Sequence, residues 1–158
     1  MIINGVVFLL ILLADQLTKY AAVAYIKPVG SITALKGLLN FTYVENTGVA
    51  FGLFSKIPML ILPLIIVIFF MCVYVSFKAY RKGYRRISIL LTAVAAGAAG
   101  NILDKIFRKF VVDFIEFSFF DFPVFNFADV VICVGITVFA ILILFTKDGD
   151  FFENNKPE

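Results

Sequence analysis

A chain of 158 residues that is 62% hydrophobic, with twenty Phe, no Trp and a mean hydropathy of +1.02, carries too little polar surface for a soluble domain of its size. It is expected to be integral to a membrane. The formal charge of +3 says little about nucleic acid, which is not an expected partner because the basic residues cluster in one short loop and form no stripe, and two separated cysteines with no histidine leave no ligand set for zinc and no base for a Ser-His or Cys-His nucleophile.

In chain order, the first apolar segment, about 3–26, has no basic stretch ahead of it and no small-residue cleavage pattern after it, so it reads as a retained span. The second, about 57–77, is almost uninterrupted, and its length at about 1.5 Å per residue comes to roughly 31 Å, enough for a hydrocarbon core. The third, about 87–107, turns into small residues from Ala95 to Gly100, which allow close helix approach and predict a central position in the bundle. The fourth covers about 128–146, and the polar tail 147–158 is expected to lack fixed structure. Residues 78–86 hold five Lys or Arg and no acid, so this loop is expected in the cytoplasm, with both termini, while loops 27–56 and 108–127 face outward.

Within those outer loops Leu39 to Tyr43 and Asp113 to Asp121 alternate apolar and polar residues as strands do. The expected fold is one domain, an all-α membrane protein of four transmembrane helices with a small extracytoplasmic β-sheet and loop element.

Helical rise puts Asp15 and Lys19 roughly 18 and 24 Å from the cytoplasmic side, and Asn101 and Asp104 roughly 21 and 26 Å. Asp113, Asn126 and Asp129 fall near the same level. Polar residues thus gather at the outer edge of the bilayer, and the cytoplasmic halves of helices one, two and four offer no polar path. Bland roles exist for each: Asp15 and Lys19 as a self-neutralising i, i+4 pair, Asn101 and Asp104 as helix glue, Asp129 as an acid at a helix N-terminus, Asp113 as a loop acid, Asn46 to Gly52 as a tight turn. The sharper expectation concerns Asp113 and Asp129, two acids in Phe-rich surroundings. Held together, such acids share one proton and can activate water.

The motifs Asp15-Gln-Leu-Thr-Lys19, Asn46-Thr-Gly-Val-Ala-Phe51, Gly97-Ala-Ala-Gly-Asn101-Ile-Leu-Asp104, Val111-Val-Asp113-Phe114 and Phe125-Asn126-Phe-Ala-Asp129 stand in the order found in the bacterial lipoprotein signal peptidases, or signal peptidase II, which the chain resembles over nearly its whole length. The resemblance implies an aspartic endopeptidase, with no cofactor or metal, that cuts prolipoproteins before a diacylglyceryl-modified cysteine at the outer face of the cytoplasmic membrane. It maps the catalytic pair to Asp113 and Asp129 and supporting roles to Asp15, Lys19, Asn46, Gly97, Asn101, Asp104 and Asn126. Lys105 stands where the family usually has Arg, and Lys cannot make a planar bidentate contact. Expected partners are the modified prolipoproteins and membrane lipid, and the chain is expected to act as a monomer. A small proton- or ion-coupled transporter is the alternative from another class, because it too would concentrate Asp, Lys and Asn within a bundle.

Overall fold

The structure of the protein, a computed structural model, is described over residues 1–48, 58–146, 148 and 151. Four long apolar helices make the bundle: α1 (Ile2–Ala21), α2 (Pro58–Arg81), α3 (Arg85–Phe107) and α4 (Phe127–Phe145). All four contain a segment long and apolar enough to cross a membrane. A single π-helical turn, Ala22–Ile26, extends α1.

Helix α3 is the axis of the bundle. Two-thirds (67%) of its most apolar window is buried, against 11–17% for the other three. Its small residues explain this. A Cβ on Gly97 would come within 3.0 Å of the Ala128 carbonyl and of Ile132 on α4, and a Cβ on Gly100 would collide with the Asp15 carboxylate on α1. From the other side, Gly135 of α4 leaves room for Val94, which would lie 2.5 Å from an added Cβ. Close backbone approach replaces large side chains as the packing device. The outer helices turn Leu9, Leu13, Leu17, Val67, Phe70, Val134 and Leu144 away from the bundle, a surface suited to lipid.

A three-stranded antiparallel sheet, in the order β1 (Ser31–Leu35), β2 (Leu39–Asn46), β3 (Val111–Phe117), caps one end. The first strand was not anticipated. All five of its residues are exposed, so it has no buried face to impose a hydrophobic alternation; its signal is the pair of turns at Gly30 and Gly37, both at positive φ. The third strand ends at Phe117, short of Asp121, because the chain turns back there and Phe125 bridges to Ile115. Strand β3 is buried at its start, where Val112 and Phe114 pack with Ala22 and Ile26 of the π-turn.

Two expectations need correction at the opposite end. The basic residues do not form a free loop: α2 runs through Lys78 to Arg81 and α3 restarts at Arg85, leaving Lys82-Gly83-Tyr84 as the connection, with Gly83 at φ +89°. Nor is the tail wholly without structure, since Phe151 is buried with Ala79, Ile87 and Leu91 and meets Tyr84 edge to face, its ring also under the Lys82 ammonium. Residues 147, 149–150 and 152–158 lie outside the described residues.

That same end also holds a buried polar cluster. Asn4 donates to Ser88 and Thr92, both at 2.8 Å, and Ser76 donates to the Ser88 carbonyl at 2.8 Å and contacts Thr92 at 2.8 Å. Polar side chains therefore do not gather at one depth only. Three helices are stitched here by neutral groups that satisfy one another, which single-residue hydropathy does not reveal.

Candidate active site

At the sheet end, the ends of α1 and α3, the start of α4 and strand β3 converge. Helix α4 begins on a capping box: the Asn126 side-chain oxygen accepts from the Asp129 backbone N–H at 3.0 Å, and an Asp129 oxygen accepts from the Asn126 backbone N–H at 3.2 Å. An acid at this helix start is what the dipole favours, so Asp129 does serve as an N-terminal residue. It does more than that, because its Oδ1 accepts from the Asn101 amide at 2.9 Å.

Asp113 lies in β3, buried. The Asn46 and Asn126 amides donate to its two oxygens at 2.8 and 2.6 Å. Asn126 thus holds both acids, Asp113 through its side chain and Asp129 through its backbone.

The three asparagines share one logic. Each has its amide oxygen pinned by a donor: Asn46 by the Gly48 N–H (2.9 Å), Asn101 by the Lys19 ammonium (2.7 Å), Asn126 by the Asp129 N–H. With the oxygen so engaged, the NH₂ must face the acid, and each amide is locked as a donor. The sequence placed these asparagines near the acids but could not supply that direction.

Behind them stands a charged layer. Lys19, buried, reaches Asp15 at 2.9 Å and Asp104 at 3.2 Å, as well as Asn101. Asp15 accepts from the Ala128 N–H at 3.1 Å and so fixes the start of α4; Asp104 accepts from the Val112 N–H at 3.1 Å and so fixes β3. The i, i+4 pair on α1 is therefore not self-contained. It ties α1, α3, α4 and β3 together beside the acids, and Gln16 joins it by donating to Asp15 and to the Gly100 carbonyl.

Lys105 takes a different part. It donates to the Thr47 and Gly48 carbonyls at 2.8 and 3.0 Å and reaches the Asn46 carbonyl at 3.5 Å. A compact ammonium with three donors suits converging carbonyls, where a planar guanidinium would suit a carboxylate. Residues 46–48 form the tight turn expected there, closed by the Asn46 side chain; residues 49–52 of that motif lie outside the described residues. Gly97 holds no polar partner and acts through space, admitting the Ala128 carbonyl one residue before Asp129.

Burial is the largest influence on Asp113 and raises its pKa from the usual 3.8 to about 6; the nearby Asp129 also raises it, while the Asn46 and Asn126 hydrogen bonds pull the other way. A carboxyl whose pKa is raised toward neutrality, with a second carboxyl bonded to the same Asn126, can hold a proton or release one. That is the equipment of acid–base chemistry on water.

Residues 7–145 match the family described as signal peptidase (SPase) II. Among curated relatives, the lipoprotein signal peptidase of Caldanaerobacter subterraneus is 35% identical over 91% of this chain and 94% of its own length, and that of Thermodesulfovibrio yellowstonii is 39% identical over 82% and 86%. A solved structure described as a bacterial membrane enzyme superposes with a TM-score of 0.78 at 27% identity, covering 98% of this chain and 93% of the other.

Proposed function

This chain belongs to the signal peptidase II family, and from that premise we propose that it removes the signal peptide of prolipoproteins by aspartic hydrolysis, with Asp113 and Asp129 as the catalytic pair, cutting before a diacylglyceryl-modified cysteine. The single observation that carries the assignment of the pair is Asn126, one residue bonded to both carboxyl groups.

The pair carries one proton. The ionised member takes a proton from water as the oxygen attacks the scissile carbonyl, while the protonated member donates to the developing oxyanion. Collapse of the tetrahedral intermediate breaks the C–N bond, and a proton passes from the pair to the departing amine. Asn46, Asn101 and Asn126 hold the carboxyl groups in position, and the Lys19 layer holds the asparagines and the elements that carry them.

Charge supports the orientation. Lys78, Arg81, Lys82, Arg85 and Arg86 lie at the end away from the acids, which supports a cytoplasmic position for that end and both termini and an outward-facing site. There a lipid-anchored substrate can keep its acyl chains in the bilayer while its peptide bond reaches the sheet. The comparisons give a transporter no support.

The direct test is cleavage of a diacylglyceryl-cysteine lipobox peptide by the purified full chain in detergent, with and without a chelator. Mass spectrometry should find one cut, immediately before the modified cysteine, at an unchanged rate with chelator present. A cut elsewhere, or none, defeats the proposal.

A further inference from the structure

Between the last residues of β3 and the start of α4, the chain places Phe117, Phe119, Phe120, Phe122 and Phe125 within nine residues. The Phe117 ring lies 5.2–5.8 Å, centroid to centroid, from each of the other four. The rings pack on one another, and Phe119, Phe120 and Phe122 remain 59%, 46% and 42% exposed. Contact with Asp113 and Asp129 does not account for them. A loop in water would spend these positions on polar residues, and three open Phe rings would be a liability.

We propose that this cluster is a membrane wedge, seated among the acyl chains of the phospholipid leaflet on the site side. Three observations choose lipid as the occupant. First, the patch is continuous with the lipid-facing wall: Phe127, two residues beyond Phe125, opens α4, which presents Val130 and Val134 outward. Second, the neighbouring hairpin tip extends the same apolar surface. The Ser118 N–H donates to the Leu38 carbonyl, and Leu35 and Leu38 are both exposed; the charged residues of segments 35–39 and 116–125 are Lys36, Glu116 and Asp121, and Glu116 is engaged by Asn40 and Thr42 of β2. So few charges on an apolar surface give a protein partner little to recognise electrostatically. Third, the free edge of β3 beside the cluster is already occupied by Phe125, whose carbonyl accepts from the Phe114 and Ile115 N–H groups, so a partner strand cannot add there. Phe has no polar tip to hold it at the headgroups, as Trp or Tyr would, and its ring settles toward the acyl chains.

The wedge is built onto the site. Phe125 adjoins Asn126, and four residues of extended strand, about 13 Å, separate Phe117 from Asp113. Parting the headgroups at this distance brings the acyl region to the place where a lipid-anchored peptide would enter. Lipid contact itself does not depend on the catalytic proposal.

The chain has no Trp, so Phe120→Trp creates a single tryptophan in the full-length protein, which can be excited selectively over the six tyrosines. Reconstituted in phosphatidylethanolamine–phosphatidylglycerol vesicles with brominated acyl chains, it is expected to lose most of its emission relative to unbrominated vesicles, with bromines near the carbonyl end quenching best. Aqueous acrylamide should quench it weakly. Phe119→Trp, at the most open of these rings, gives the same measurement if the first variant does not fold. Strong acrylamide quenching without bromolipid quenching would put the loop in water and overturn the proposal. Resistance to both quenchers would mean that protein covers the ring, a second copy for example, and would overturn it equally. Neither outcome bears on whether Asp113 and Asp129 cleave peptide.

Discussion

The bundle buries a polar cluster at each end, and the two differ in kind. Near the basic residues, Asn4, Ser76, Ser88 and Thr92 are all neutral and close on one another across α1, α2 and α3. Near the sheet stand four carboxyl groups, Asp15, Asp104, Asp113 and Asp129, and two lysines: Lys19 bridges Asp15 and Asp104, Lys105 is bonded to backbone carbonyls, and Arg108 lies at the edge 3.4 Å from Asp104. Neutral groups can satisfy each other with no proton left to place. Where carboxyl groups outnumber buried cations, keeping a proton on one of them is the least costly arrangement. The first cluster is fit to hold helices, the second to do chemistry.

The largest effect that could break this contrast is on cleavage. Asp113→Asn and Asp129→Asn should each lower the rate at least about 10³-fold, and the double variant should be scarcely worse than either, since paired catalytic groups act as a unit. A rate assay on the lipobox peptide decides it. Two partial and multiplicative losses would mean that the acids work independently and that the contrast lies only in charge.

Next comes Lys19. Replacing it with Met keeps the length but leaves Asp15 and Asp104 buried without their shared cation, which should cost about 3–5 kcal/mol. A thermal melt in detergent should show a large drop, partly restored by adding Asp15→Asn. If Lys19→Met melts like the parent, the charged layer is not what ties α1 to α3 and α4.

The Asp113 titration sharpens the contrast more gently. An acid whose native pKa is raised favours the folded state when protonated, and that advantage is lost as pH rises from the ordinary 3.8 through about 6. Since the Asp129 charge contributes to the shift, Asp129→Asn should lower the Asp113 midpoint without returning it to 3.8, because burial is the larger cause. The Asp113 carboxyl stretch in infrared difference spectra, identified by its loss in Asp113→Asn, measures this. An unchanged midpoint would show that the two acids do not sense each other.

Much of this architecture was legible in the residues because a bilayer punishes polarity: twenty-residue apolar runs declare themselves, and a charge inside one, such as Asp15 or Lys19, stands out. Small residues from Ala95 to Gly100 announced the central helix for the same reason, that only close packing rewards them. What stayed hidden depends on direction or on surface. Asn126 is visible as a polar residue near two acids, but its bonds to both require the capping box that only the fold supplies. Strand β1 has no buried face, and Phe151 sits in a polar tail whose composition conceals a single anchoring ring. Ser76, Ser88 and Thr92 are mild enough on any hydropathy scale to pass as ordinary residues of a membrane helix.

Those mild residues give the smallest expected effect. Asn4→Ala removes two hydrogen bonds but leaves Ser76, Ser88 and Thr92 able to bond one another, so the loss should be near the 0.6 kcal/mol average for interhelical hydrogen bonds in membranes and no more than about 1.7. Its distance from the acids predicts a cleavage rate unchanged within about twofold, because no element that carries Asp113 or Asp129 is fixed by Asn4. Asn4→Asp is the sharper substitution. It puts a carboxyl group among hydroxyls that, among the described residues, have no cation bonded to them, so it should protonate or destabilise the bundle, by the same rule that makes an excess of acids useful at the other end. If Asn4→Asp were as stable as the parent at neutral pH, a buried acid without a cation would be cheap here, and the excess of carboxyl groups near the sheet would no longer require a retained proton.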